Sequence, residues 1–432
     1  MKWVSSRGPE GGTWSFRDAL FQGLAPDGGL FLPTETEPLP QHVLSTLRDK
    51  SAGDVAAALS AHLLGEELGE GVARALAHEA VDFPCPITRI GPSSSILELF
   101  HGPTLAFKDI GARFMAAAMG VFHGPGSPTR TILVATSGDT GGAVAHAFRR
   151  RDDVRVVILF PEGRVSLRQR AQLTTGGPSV TSAAVRGEFD DCQRMVKEAF
   201  ADPVLRETHG LTSANSINVG RLLPQTFYYL YGALALSDVG RRLVVSVPSG
   251  NLGNLTAGLW ARRLGAPIDG FVAGTNENRT LADFFDTGRF EPRTSISTLS
   301  NAMDVGDPSN MERILGLYPG PDAVRRAFSV SAWSDDATRR CIADVWDETG
   351  VVLDPHTAVG VLALRHALAV DEDAEGLVLG TAHPAKFAEV VEAIIGRPIP
   401  VPDSLRDALL REPTVPSIPP SLDGLISILE GR

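Results

Sequence analysis

Lysine is scarce in this sequence. Of 40 basic residues only five are lysine (Lys2, Lys50, Lys108, Lys197 and Lys386), so arginine carries most of the positive charge. A lysine kept where arginine would otherwise serve is a candidate for chemistry that needs an amine. Cysteine is scarcer still. Cys85, Cys192 and Cys341 stand far apart, with neither a metal-ligand spacing nor a disulfide framework, which fits a reducing compartment. No run of 18 apolar residues exists, so no helix is expected to span a membrane. The opening MKWVSSRGPEGG lacks the apolar centre of a signal peptide, and a cytoplasmic location is the expectation. The net charge of −11 argues against non-specific binding to nucleic acid or anionic membranes, and the acids form no tail. Internal repeats and low-complexity tracts are absent. So are a G-x-x-x-x-G-K-[ST] phosphate loop and a G-x-G-x-x-G dinucleotide loop.

What remains is an ordinary globular composition over 432 residues, 43% hydrophobic and 21% charged. That length calls for two or three domains. The first 95 or so residues read as a helical packing module. Helices are expected over Ser15 to Gly23, about Pro40 to Lys50, Ala52 to Leu64 and Glu70 to His78. The turn cluster Ala25 to Gly29 precedes a short apolar run, Leu30 to Pro33. Phe83 to Pro86 and Gly91-Pro92 read as the linker out of the module. From Thr131 the pattern changes. TILVA (131–135), VRVVILF (154–160) and LVVSV (243–247) are continuous apolar runs, the mark of strands buried on both faces, and helical stretches alternate with them. Later strands are expected at Phe271 to Ala273 and Leu377 to Gly380. Helices follow at Leu405 to Leu410 and Leu422 to Leu429, separated by a proline-rich connection.

The centre of the chain is LELFHGPTLAFKDIGARFMAAAMGVF, residues 97–122. After the turn His101-Gly102-Pro103, Thr104 reads as the cap of a helix that runs to about Phe122. On that helix Lys108 has Thr104, Leu105, Gly111 and Ala112 three and four residues away, and none is acidic. Asp109 points about 100° away. An ammonium without a counter-ion is destabilised, so its pKa falls and the neutral amine becomes accessible. The plain alternative is a lysine that reaches water or pairs with a distant acid. Two loops complete the picture. Thr136-Ser137-Gly138-Asp139-Thr140-Gly141-Gly142 and Pro248-Ser249-Gly250-Asn251-Leu252-Gly253 each follow a buried strand and open a helix. Glycines let successive N–H groups converge, and the helix N-terminus adds positive potential, so such turns cradle phosphate or carboxylate. An amine and two anion cradles fit pyridoxal phosphate held as a Schiff base on Lys108, with one cradle for its phosphate and one for an anionic substrate.

These blocks resemble a known family. ELFHGPTLAFKD (98–109) is similar to the cofactor-lysine motif of the threonine synthases. The resemblance continues at SSRG (5–8), GLAPDGGLFLP (23–33), ATSGDTG (135–141), SANSIN (213–218), VPSGNLGN (247–254), TLSNAMDVG (298–306) and GTAHPAKF (380–387). It covers nearly the whole chain in order. It implies an α/β, fold-type II pyridoxal phosphate enzyme, with two α/β domains, the cofactor in the cleft between them and a mainly helical N-terminal module. The corresponding boundaries are 1–95 for the module, 96–130 and 241–400 for the larger cofactor-binding domain, 131–240 for the smaller substrate domain, and 401–432 for a C-terminal helical segment. By resemblance Lys108 forms the internal aldimine. Gly250, Asn251, Leu252 and Gly253 donate to the cofactor phosphate with Ser249 and Asn254 flanking, and Thr381 bonds the pyridine nitrogen. Leucine stands at 252 where the family often has phenylalanine, a change that a backbone donor tolerates.

The substrate side is expected to use Thr104, Ser137, Asp139, Thr140, Asn215, Asn218 and Arg221. Each has a plainer role open to it. Ser137 and Thr140 fit a helix cap, Asp139 an orienter of donors or water, Asn215 and Asn218 turn positions, and Arg221 a surface charge. His101 and His383 fit structural roles, and His356 a loop or cap. The implied reaction converts O-phospho-L-homoserine and water to L-threonine and phosphate, with Lys108 as the mobile base. The alternative is a related phospholyase that releases a 2-oxo acid, ammonia and phosphate. No metal, nucleic acid or membrane partner is expected, and the chain is read as a monomer or homodimer.

Overall fold

The computed structural model of the chain describes residues 1–8, 11–124, 127–174, 176–237, 240–371, 373–411 and 415–431. In chain order its strands are β1 (Trp3–Ser5), β2 (Phe31–Pro33), β3 (Ile87–Gly91), β4 (Ser94–Glu98), β5 (Arg130–Ala135), β6 (Val154–Pro161), β7 (Val180–Val185), β8 (Leu211–Ser213), β9 (Leu243–Pro248), β10 (Gly270–Thr275), β11 (Ser329–Ala332), β12 (Glu375–Gly380) and β13 (Ser417–Ile418). Among the described residues they form one sheet in the order β11-β10-β9-β12-β4-β3, a second in the order β13-β7-β6-β5-β8, and the ribbon β1-β2. Both large sheets are parallel except for the antiparallel pair β3–β4.

The apolar runs explain the parallel sheets. In β5 and β6, Ile132, Val134, Val156 and Ile158 enter one core, while Leu133, Val157 and Leu159 enter another. A strand buried on both faces has no polar side, which is why these segments read as unbroken hydrophobic runs. The helices near the N-terminus fall where periodicity puts them, at Phe16–Gln22, Gln41–Leu47, Ala52–Leu68 and Glu70–Ala80. Ser15 and Ser51 cap two of them, their hydroxyls accepting from the N–H of Asp18 (3.0 Å) and Asp54 (3.1 Å). No described helix is long and apolar enough to cross a membrane.

Three expectations about the segments change. The stretch read as a linker, Phe83 to Pro92, instead supplies β3, and the Gly91-Pro92 signal lies at the turn of a β3–β4 hairpin on the edge of the larger sheet. The N-terminal residues do not stand apart. Trp3 is fully buried and packs edge-on against Trp260, with ring centroids 5.6 Å apart, so the module shares its core with the helix Gly253–Arg263. The C-terminal segment is not helix alone. Its β13 extends the smaller sheet beside β7, and the helix Leu422–Leu429 folds back to bury Leu425, Ile428 and Leu429 against Cys192 and Met195. Part of the proline-rich connection, residues 412–414, lies outside the described residues.

Leu425 tests that closure. It is fully buried, so Leu425→Ala should destabilise the protein by about 2–5 kcal/mol. A urea midpoint equal to that of the unchanged chain would show that the C-terminal helix does not close this core.

Candidate active site

The residues that follow the carboxyl ends of β4, β5, β9 and β12 meet at one cleft, the usual place for a ligand in a parallel sheet. A cavity there has a volume of about 910 Å³, including its open mouth. Lys108, Ser137, Asp139, Thr140, Asn215, Arg221, Ser249 to Asn254 and Thr381 all line it, with His356 beside them. Thr104 and Asn218 do not. Thr104 is held by Asp109, to which it donates from its N–H (2.8 Å) and its hydroxyl (2.6 Å). Asn218 spends its amide on the carbonyls of Leu20 and Ser213, both at 2.8 Å, and its Oδ1 accepts from the Gly220 N–H.

The helix behind Lys108 begins later than its sequence suggests. It spans Lys108–Phe122, so Lys108 is its first residue, and Thr104 is not its cap. Leu105 has φ 60°, which breaks any helix running from Thr104. Lys108 also has an acid that helical spacing could not reveal: Asp139 Oδ2 lies 3.9 Å from its Nζ. The lowered pKa survives this correction. Burial, opposed by Asp139 and helped by Lys386 and Arg221, brings the amine down to about 8.

Asp139 opens the helix Asp139–Phe148. Its Oδ1 accepts from Lys386 Nζ (2.8 Å) and Gln169 Nε2 (3.0 Å). Burial alone would raise its pKa, but Lys386 and Lys108 outweigh that and hold the carboxyl well below the usual range. The cap of this helix is neither Ser137 nor Thr140. Thr136 Oγ1 accepts from the N–H groups of Gly138 and Gly141, both at 3.0 Å. Gly138 has φ 139°, and a Cβ there would lie 2.4 Å from Gln169 Nε2, so the turn requires glycine. Asn215 clamps the end of β5, with Oδ1 accepting from the Ala135 N–H (3.3 Å) and Nδ2 donating to its carbonyl (2.7 Å). Arg221 is buried, donates to the Ala214 carbonyl, and keeps Nε without a partner. Burial lowers its pKa to about 10, which leaves it a cation at neutral pH.

The loop after β9 is pinned from below. Asn251 donates to Ser216 Oγ (3.0 Å) and accepts from the Ser309 N–H (2.6 Å). Asn310 donates to the Asn251 carbonyl (3.0 Å). Beneath them Arg313, fully buried, donates to the carbonyls of Phe31 (3.0 Å) and Ser216 (2.9 Å) and to Asn310 Oδ1 (2.7 Å). Leu252 sits in the left-handed region at φ 59°, a conformation that side chains rarely adopt. The loop leads into the helix Gly253–Arg263, whose N-terminus faces the cavity. Tyr228 and Tyr229 donate to Asn254 Oδ1 (2.6 and 2.8 Å), which leaves Asn254 Nδ2 a buried donor without a partner. Such a donor on a cavity wall is a place for a ligand oxygen.

Sequence reasoning missed Lys386, Arg313 and the place of His356. His356 is not in a loop. It lies in the first turn of the helix Pro355–Leu368, lines the cavity, bonds Asp354 through Nδ1 (2.7 Å), and accepts from the Ala302 N–H at Nε2 (3.1 Å). His101 pairs with Glu98 (2.7 Å), and His383 accepts from the Ala385 N–H (3.1 Å), so both have structural partners. The signal for Lys386 was present: it is another of the five lysines, and it sits inside GTAHPAKF.

Comparison with known proteins bears on this arrangement. Residues 96–381 match the family model "Pyridoxal-phosphate dependent enzyme", residues 2–80 match "Threonine synthase N terminus", and residues 357–428 match "Threonine synthase, C-terminal". A threonine synthase of Serratia marcescens is 43% identical over 392 residues, 90% of each chain. The crystal structure of threonine synthase from Escherichia coli superposes with a TM-score of 0.92 at 38% identity and covers 100% of both chains. The pyridoxal phosphate-bound threonine synthase from Brucella melitensis gives 0.90 at 37% identity, covering 100% of this chain and 99% of that one.

Gly250 tests the loop. A Cβ there would lie 2.7 Å from Met303 Cα and 3.2 Å from the Ala302 carbonyl, both backbone that cannot swing away. Gly250→Ala should cost about 1–3 kcal/mol of overpacking in the loop. A loop displaced by that clash presents its N–H groups out of place, so pyridoxal phosphate affinity should fall roughly 5- to 150-fold. Titration of cofactor-free protein measures this, and unchanged affinity would count against the loop as the phosphate cradle.

Proposed function

The chain belongs to the threonine synthase family of pyridoxal phosphate-dependent enzymes, and from that premise we propose that it converts O-phospho-L-homoserine and water to L-threonine and phosphate with Lys108 as its catalytic amine. The observation that carries this reading is the amine itself: Lys108 stands on the cleft wall with its side chain 17% exposed, has a pKa lowered to about 8, and faces two glycine turns that open helices.

The residues present fit the cofactor. Lys108 Nζ would hold it covalently, the N–H groups of Gly250, Asn251, Leu252 and Gly253 its phosphate, and Thr381 its ring nitrogen, with Ser249 and Asn254 flanking. The unpartnered Asn254 Nδ2 supports this fit. When bound, the cofactor supplies an electron sink that stabilises negative charge at substrate carbons near the amine.

The chain's own residues do the rest. As a free amine, Lys108 would take and return protons on neighbouring substrate carbons. Its lowered pKa suits both directions of transfer near neutral pH. Ser137 and Thr140, relieved of capping by Thr136, have hydroxyls for the substrate's anionic groups. Arg221 adds a buried positive charge on the same wall. Asn215 acts by fixing the end of β5, and Asp139 faces the amine rather than an anion. Thr104 and Asn218 act from behind the wall, as supports.

The cleft divides a larger unit, residues 96–130 and 241–400, from a smaller one, 131–240, and the two separate sheets support that division. This reading needs no residue from a second copy, so a monomer or homodimer would serve alike. A cytoplasmic setting suits the three free, buried cysteines.

Product analysis tests the reading. Holoenzyme given O-phospho-L-homoserine should accumulate L-threonine and phosphate, whereas 2-oxobutyrate and ammonia would overturn it. Lys108→Ala should lower turnover by at least ~10²–10⁴-fold, the contribution of a positioned base, with little change in the circular dichroism spectrum.

A further inference from the structure

We propose that Lys386 is a positioning residue that sets the proton affinity of Lys108 by sharing the carboxylate of Asp139 with it. The proposal rests on Lys108 being the catalytic amine.

The three groups form a ladder. Lys386 Nζ lies 2.8 Å from Asp139 Oδ1, and Asp139 Oδ2 lies 3.9 Å from Lys108 Nζ. Lys386 is fully buried, and the side chains of Asp139 and Lys108 are 3% and 17% exposed. A lysine without water needs fixed acceptors, and Lys386 has two: Asp139 and the Thr104 carbonyl at 2.9 Å. Thr104 is itself held by Asp109, so the acceptor cannot swing away.

The distances decide who owns the carboxylate. The nearer cation takes the hydrogen bond, and the farther amine feels a field already partly cancelled. With Lys386 absent, Asp139 would face Lys108 alone and hold it as the ammonium. With Asp139 absent, Lys386 and Arg221 would repel a proton on Lys108. The other charges around the ladder are Asp354, which favours the Lys108 ammonium, His356 beside Asp139, and Asp109 and His383 on the Lys386 side. The amine therefore stands between an acid that would charge it and a second lysine that prevents this, and its pKa of about 8 is the outcome together with burial.

Opposite signs make the test. Lys386→Met removes the competing cation, so the Lys108 midpoint should rise by about one pH unit, tenfold in proton affinity. Asp139→Asn removes the acid, so the midpoint should fall by a similar amount. The double variant leaves neither charge alone in the wall and should lie between, which guards against a single variant that fails to fold.

Two readouts apply. In cofactor-free protein, the pH dependence of Lys108 acetylation by acetic anhydride is followed by mass spectrometry. In holoenzyme, the rising limb of kcat against pH, which reports groups ionising in the substrate complex where the amine is free, should move with it. Shifts of the same sign in both single variants, or lost activity with fixed midpoints, would overturn the proposal. The labelling needs no turnover. A wild-type enzyme that makes no threonine, yet whose variants label with opposed shifts, would refute the reaction and leave the ladder standing.

Discussion

The ion pair between Lys386 and Asp139 is the interaction on which the rest of the site depends. It is 2.8 Å long and almost wholly buried. Asp139 starts a helix that follows β5 of the smaller sheet, and Lys386 follows β12 of the larger one, so the pair crosses the cleft. A buried pair adds little net stability when complete, because desolvation offsets attraction. Broken from one side it costs about 3–5 kcal/mol, because the remaining charge has no water to turn to. The constraint is therefore geometric: the two sheets must meet in one register, and that register brings Lys108 beside the same carboxylate.

A second buried cation does similar work without an acid. Arg313 gathers the carbonyls of Phe31 and Ser216 and the side chain of Asn310 beneath the loop after β9. Burial lowers its pKa to about 9, so it too remains charged at neutral pH. The N-terminal ribbon is thus tied to the glycine loop on the cavity wall, which gives the opening module a part in the site. The chain as a whole carries −11, yet Lys386, Arg221 and Arg313 lie buried around one cleft, with Lys108 partly exposed on its wall. Positive charge set in low-dielectric walls acts on an anionic ligand more strongly than the same charge on the surface would.

Much of this was legible in the sequence because it is written locally. The runs TILVA, VRVVILF and LVVSV appear as β5, β6 and β9, and the glycine turns after β5 and β9 line the cavity. The parts that escaped are those decided elsewhere in the chain. Helical spacing around Lys108 reports only neighbours on its own helix, so Asp139 was invisible to it. The hairpin β3–β4 was hidden because ITRIG is short, half exposed and interrupted by Arg89. The helix Pro355–Leu368 is buried nearly all round, so it shows no polar stripe to betray its period. Thr104 had the chemistry of a cap, but Asp109 claimed it first.

The scarcity of lysine now has a physical reading at two positions. Arginine at 108 would be charged at any relevant pH and offers no free amine. Arginine at 386 fails for another reason. Its fork carries five N–H donors in a fixed plane, whereas this pocket supplies two acceptors, Asp139 Oδ1 and the Thr104 carbonyl. The remaining donors would stay buried and unmet. A compact ammonium with three rotatable donors suits a small, dry pocket of that kind. Where arginine is buried with its fork met, as at 313, the carbonyls of Phe31, Ser216 and Ile217 and the side chain of Asn310 receive it, and on the surface solvent does so. Composition, pocket shape and proton chemistry therefore select the same residue by independent routes.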